Sequence, residues 1–100
     1  MIDMFEVRET KTFSEWLAAL RDERAQANIA RRVRQLALGN FGDAKLVGDG
    51  VSELRIHYGP GYRVYFVRTG RQVLVVLCGG DKSTQDRDIK EAKRLALKEI

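Results

Sequence analysis

Arginine, histidine and tyrosine recur at alternate positions on either side of a turn signal in the segment VSELRIHYGPGYRVYFVRTGRQVLVVLCGGDK, Val51 to Lys82. Arg55 and His57 precede the run Tyr58-Gly59-Pro60-Gly61-Tyr62, and Arg63 and Tyr65 follow it. An arginine is always charged and offers paired donors suited to a phosphate, or to the pentavalent centre formed when a phosphate is attacked. Histidine changes protonation near neutrality and serves as a general acid or base. A tyrosine ring stacks on any unpaired base. Each residue also has a plainer reading. Arg63 and Arg55 would be solvated cations paired with Glu53 or another carboxylate, His57 a strand histidine bonded once beside a turn, and the tyrosines cross-strand partners. Lys82 follows Gly79-Gly80-Asp81 and, with the amides of Ser83 to Gln85, would hold an anion at a helix start. The glycine pair lacks the GxxxxGK[ST] spacing of a P-loop, which disfavours nucleotide hydrolysis.

Positioning these groups requires a hairpin. Glycine and proline at residues 59–61 mark a reversal between two β-rich stretches. With Tyr58 opposite Tyr62, His57 opposes Arg63, Arg55 opposes Tyr65, Ile56 opposes Val64 and Leu54 opposes Phe66. One face is then apolar, and the other carries Arg55, His57, Arg63 and Tyr65. Strands are expected over Val51–Tyr58, Tyr62–Arg68 and Gln72–Cys78. The last, apolar on both faces, is central, and Gly79 and Gly80 end it. Upstream, Met1–Arg8 suits a short edge strand. Thr12 to Glu15 reads as a capping box ahead of Phe13, Trp16, Leu17 and Leu20. Asp22 caps a second helix with the apolar stripe Ala25, Ile29, Val33 and Leu36, ended by Gly39 and Asn40. Asn40–Gly50 is expected to be a loop, with at most a short extended piece at Lys45–Val47. Ser83 or Thr84 caps a final helix with Ile89, Ala92, Leu95, Ala96 and Ile100 facing inward. The expectation is an α+β fold in the order β-α-α-β-β-β-α, with two N-terminal helices on a twisted, mostly antiparallel sheet.

The chain has 100 residues, which suits one domain spanning residues 1–100. Its single cysteine, Cys78, and single histidine exclude an internal disulfide and disfavour a thiolate or zinc site, so metal-free chemistry without a cofactor is expected. No apolar run approaches a membrane span and the N-terminus lacks a signal-peptide pattern, which points to a cytoplasmic protein that does not engage membranes. The formal charge of +4 favours a polyanionic partner, yet many soluble domains carry as much. Its distribution is more informative: Arg21, Arg24, Arg31, Arg32 and Arg34 crowd one segment, and Arg87, Lys90, Lys93, Arg94 and Lys98 another.

The motifs GPGYRVYF, VLCGGDKSTQ and DIKEAKRLA together resemble the RelE/ParE toxin superfamily, and more narrowly its HigB-like branch of addiction-module killer proteins. The resemblance covers essentially the whole chain and is most specific over Gly50–Ala96. It implies the toxin of a type II toxin-antitoxin system, most directly a metal-independent, ribosome-dependent endoribonuclease that enters the A site and cleaves translated mRNA by 2′-hydroxyl attack. Arg63 matches the strand arginine of the family's YRV motif, Lys82 the basic position after the last strand, and Arg55 a second strand cation. Residues 82–100 contain no tyrosine or histidine, where several relatives place a catalytic one. The general base is then His57 or Lys82. Tyr65 would stack on a base, and Arg31, Arg34, Lys90 and Arg94 would meet ribosomal RNA. The ParE-like side of the superfamily implies the alternative, a non-hydrolytic inhibitor of DNA gyrase. Either reading implies a cognate helix-turn-helix antitoxin and a toxin-antitoxin heterotetramer.

Overall fold

A computed structural model describes residues 4–99, so Met1, Ile2, Asp3 and Ile100 lie outside the described residues. Within that span the first strand, β1, runs Glu6–Glu9, later than the Met1–Arg8 expected. The helix α1 covers Lys11–Ala19 and starts two residues earlier than the capping box predicts. Thr10, not Thr12, is its cap: Thr10 Oγ1 accepts from Phe13 N at 3.0 Å and donates to Leu77 O at 2.5 Å. The second bond ties the cap to the middle of the sheet, an attachment open to Thr10 but not to a residue one half-turn further on.

The helix α2, Glu23–Ala37, follows the expected rules closely. Asp22 Oδ1 accepts from Arg24 N at 3.0 Å and Ala25 N at 3.2 Å. Ala25, Ile29, Val33 and Leu36 are all buried, and Gly39 at φ 77° closes the helix.

A strand stands where a loop was expected. β2, Ala44–Gly48, pairs antiparallel with β3, Val51–Ile56, and forms one edge of the sheet. Two further strands complete it: β4, Tyr62–Thr69, and β5, Val73–Asp81. Their spatial order is β1-β5-β4-β3-β2, with β1 parallel to β5 and the other pairs antiparallel. The order along the chain is therefore β-α-α-β-β-β-β-α, one strand more than expected.

The β3/β4 register differs by two residues from the expected one: Arg55 opposes Arg63, Leu54 opposes Val64 and Glu53 opposes Tyr65. The connecting residues 57–61 form a wide turn, in which Tyr58 N donates to Ile56 O and the Tyr58 hydroxyl reaches away to Asp22 Oδ2 at 2.9 Å. An even shift leaves every side chain on its face, so the face assignment of Arg55, Arg63 and Tyr65 holds.

β5 also continues through the two glycines expected to end it. A Cβ at Gly79 would lie 2.3 Å from the Trp16 ring, and one at Gly80 would lie 1.7 Å from Asp88 Oδ2. The pair is in-strand glycine that lets other elements approach the backbone. Asp81, rather than Ser83 or Thr84, then caps a short 3₁₀ turn at Lys82–Thr84 that leads into α3, Gln85–Glu99. Asp81 Oδ1 accepts from Ser83 N at 2.8 Å.

The sheet lies between two helical layers. On one face Phe13, Ile29 and Leu36 pack on Leu54, Val64, Phe66 and Val76. On the other Ala92, Leu95 and Ala96 of α3 pack on Val51, Tyr65, Val67 and Leu77. β5 contributes to both clusters, which accounts for its apolar alternation on both faces. Among the described residues no helix is long and apolar enough to cross a membrane.

Candidate functional site

Glu53 on β3 is fully buried, which would strongly disfavour a carboxylate without compensating partners. Here both oxygens are engaged. Tyr65 OH and Gln85 Nε2 donate to Oε2 at 3.0 and 2.8 Å. Arg55 Nε donates to Oε1 at 3.3 Å, and Arg63 Nε stands 3.5 Å from the same atom. Burial opposes the charge, but the hydrogen bonds from Gln85, Tyr65 and Arg55 and the charge of Arg63 hold the Glu53 carboxyl below its ordinary range. Burial and the adjacent Glu53 push the Tyr65 phenol far above its ordinary value, so it remains a donor.

The two arginines are cross-strand neighbours on the face covered by α3, with their side chains 33% and 14% exposed. Gly80 opposes Arg63 on β5, and Asp88 occupies the space a side chain would fill there. Arg63 Nη1 donates to Gly61 O at 3.0 Å. The position of a Cβ on Gly61 lies 3.5 Å from Arg63 Nη1 and 3.6 Å from Lys82 Cβ, so the turn brings Lys82 beside Arg63. Lys82 is exposed and lines a hollow of about 370 Å³ with Ser83, Gln85 and Arg87 at the start of α3.

His57 does not share the strand face with Arg63 as expected. It follows the end of β3, is 77% exposed, and Nε2 lies 2.5 Å from Asp43 Oδ2. That hydrogen bond is the main reason the Asp43 carboxyl sits below its ordinary range. His57 and Asp43 line a second cleft of about 370 Å³ with Arg55, Arg31, Asn28 and Tyr58. Arg55 therefore belongs both to the Glu53 cluster and to the cleft holding His57.

The structure separates the remaining expected contacts. Tyr65 has no exposed ring to offer a base, because α3 covers it. Arg34 lies away from the His57 cleft, in a groove with Val7, Val33 and Leu38. Lys90 and Arg94 project from α3, across the sheet from α2, and Arg94 is paired with Glu91. Glu53, Gln85 and Asp43 are central here, yet the sequence suggests Glu53 only as a salt-bridge partner of the arginines, Gln85 only through its backbone amide, and Asp43 not at all. The available signal was Glu53 at two residues from Arg55, on the same strand face.

Chemically, the two guanidinium groups side by side suit the binding of a phosphodiester and the imidazole oriented by Asp43 suits proton transfer, while Lys82 lines a separate hollow. Among the described residues no cluster of His, Cys, Asp and Glu is arranged to hold a metal ion.

The architecture is that of RelE-type toxins. A mutant of the Escherichia coli toxin RelE in the free state superposes with TM-score 0.73 at 13% identity, over 92% of this chain and 98% of its own. A chain of the toxin-antitoxin complex RelBE2 from Mycobacterium tuberculosis gives 0.63 at 21% identity, over 79% of this chain and 99% of its own. The family described as phage derived protein Gp49-like (DUF891) matches residues 15–100, and the chain belongs to that family, within the RelE/ParE-like toxin superfamily. An uncharacterized protein from Haemophilus influenzae is 53% identical over 91 residues, covering 91% of this chain and 92% of its own.

Proposed function

We propose that this protein is the toxin of a type II toxin-antitoxin system and acts as an endoribonuclease on translated mRNA in the ribosomal A site. The observation that carries the reading is the pair Arg55 and Arg63, set opposite each other with their Nε atoms directed at one carboxylate oxygen. Their terminal nitrogens then stabilise the charge on the non-bridging phosphoryl oxygens as the adjacent 2′-hydroxyl attacks. His57, oriented by Asp43 at the end of the cleft that includes Arg55, takes the proton of that hydroxyl. The Lys82 ammonium, beside Arg63, gives a proton to the leaving 5′-oxygen. The products are a 2′,3′-cyclic phosphate and a free 5′-hydroxyl. Arg31, on the same cleft as His57, guides the RNA strand.

The RelBE2 complex supports a cognate antitoxin as partner, and a small helix-turn-helix protein in a heterotetramer with the toxin is the corresponding assembly.

Mapping mRNA 5′ ends by primer extension after tightly controlled expression tests the reading. The parent should produce new ends within translated frames, and Arg55→Ala should not. Growth arrest by the parent without such ends would overturn the nuclease reading in favour of a ParE-like inhibitor of gyrase, detectable as altered plasmid supercoiling.

A further inference from the structure

A carboxylate buried in a sheet-helix interface is seldom there for stability, because an apolar residue of similar volume commonly packs as well or better. Glu53 has no exposure and lies in register with Tyr65, on the sheet face that α3 covers. Its four partners divide two to each oxygen: Arg55 and Arg63 at Oε1, Tyr65 and Gln85 at Oε2. Three of these are hydrogen bonds and the fourth, from Arg63, is an ion pair, so both oxygens are engaged and the orientation of the carboxylate is set by a strand tyrosine and by a glutamine of α3.

The consequence falls on the arginines. Like charges directly opposite on neighbouring strands repel, and the long side chains would otherwise splay. Arg63 Nε is buried and has no hydrogen-bond partner among the described residues apart from its ion pair with Glu53. With both Nε atoms beside one oxygen and Arg63 Nη1 donating to Gly61 O, the terminal nitrogens left to meet a ligand are those of Arg55 and Arg63 Nη2.

We infer that Glu53 is a positioning residue: its buried carboxylate, held by Tyr65 and Gln85, locks Arg55 and Arg63 into a double-guanidinium cradle for the scissile phosphate. The inference rests on the nuclease reading above and assigns the residue that organises its anion site. Glu53 touches no substrate, and its effect passes entirely through the two arginines.

Charge gives the test its sign. Glu53→Gln adds a positive charge to a chain already at +4, so simple electrostatics tightens its binding to RNA. Loss of positioning instead slows the chemical step. Single-turnover cleavage of an mRNA on programmed ribosomes separates the two, as a maximal rate and a half-saturating toxin concentration. For Glu53→Gln the maximal rate should fall by roughly 10- to 100-fold while the half-saturating concentration is unchanged or lower. Gln85→Ala, which removes a bond to Glu53 without touching either arginine, should lower the rate by a smaller factor in a chain that is less stable but still folded, and decides the matter if Glu53→Gln does not fold. Parental rates in a folded Glu53→Gln, or in Gln85→Ala when Glu53→Gln fails to fold, would overturn the inference and leave the nuclease reading intact. A parent chain that cleaves no RNA would overturn both.

Discussion

Arg55 and Arg63 face each other across β3 and β4, and both place Nε near the same oxygen of buried Glu53, Arg55 in a hydrogen bond at 3.3 Å and Arg63 in an ion pair at 3.5 Å. A like-charge pair that costs free energy on an open sheet thus becomes a preorganised anion site, since the arrangement exists before any ligand arrives.

His57 is exposed and contributes no core packing, so His57→Ala should retain the parental melting temperature. As the general base, its loss should slow mRNA cleavage by roughly 10²- to 10⁴-fold, with a smaller decrease for Asp43→Asn, which weakens only the orientation of the ring. Single-turnover rates on programmed ribosomes check this. A parental rate in His57→Ala would move the base to Lys82.

Tyr65→Phe distinguishes support of Glu53 from base stacking. The ring stays in the core, but one donor to a buried carboxylate is lost, which should cost about 1–3 kcal/mol in urea unfolding. Affinity for a short single-stranded RNA should be preserved on either reading, since a phenyl ring stacks as well, so an unchanged stability is the result that would count against the support of Glu53.

Gly79 allows the Trp16 ring to lie against β5. Gly79→Ala places a Cβ about 2.3 Å from that ring and should destabilise the fold by roughly 1–3 kcal/mol through overpacking. Trp16→Leu makes room, so the two substitutions should be non-additive in a double-mutant cycle by roughly 0.5–3 kcal/mol. Additive effects would mean that the glycine answers to some other constraint.

Acid should weaken the native state in a manner that depends on Glu53. Its native pKa lies below the ordinary 4.5, so the unfolded chain takes up this proton at higher pH than the folded chain. The contribution is complete above about 4.5 and is lost as pH falls through the lower native value. Asp22, Asp43 and Asp81, also depressed, act in the same direction. Urea titrations from about pH 6 to about pH 3 should show stability falling, and the gap between parent and Glu53→Gln narrowing toward the acid end.

What the sequence determined by itself is whatever depends on near neighbours. The Asp22 cap, the α2 stripe and the Gly39 stop follow from hydrogen bonds and side-chain spacing within a few residues. The apolar run of β5 likewise announces a strand covered on both faces, and alternation alone places Arg55, Arg63 and Tyr65 on one side of the hairpin. Only the tertiary structure decided the pairing of Arg55 with Arg63, because a two-residue shift of register preserves every face and leaves the pattern unchanged. It also decided that Gly79 and Gly80 lie within a strand, since the reasons for them, Trp16 and Asp88, arrive from other elements. The same holds for β2, an edge strand in which consecutive Lys45 and Leu46 are both exposed so that no alternation marks it, and for His57, which the wide turn takes off the strand and toward Asp43. Glu53 is the clearest case. A glutamate between Ser52 and Leu54 reads as exposed, and its burial follows only when Tyr65, Gln85 and two arginines converge on it from three separate elements.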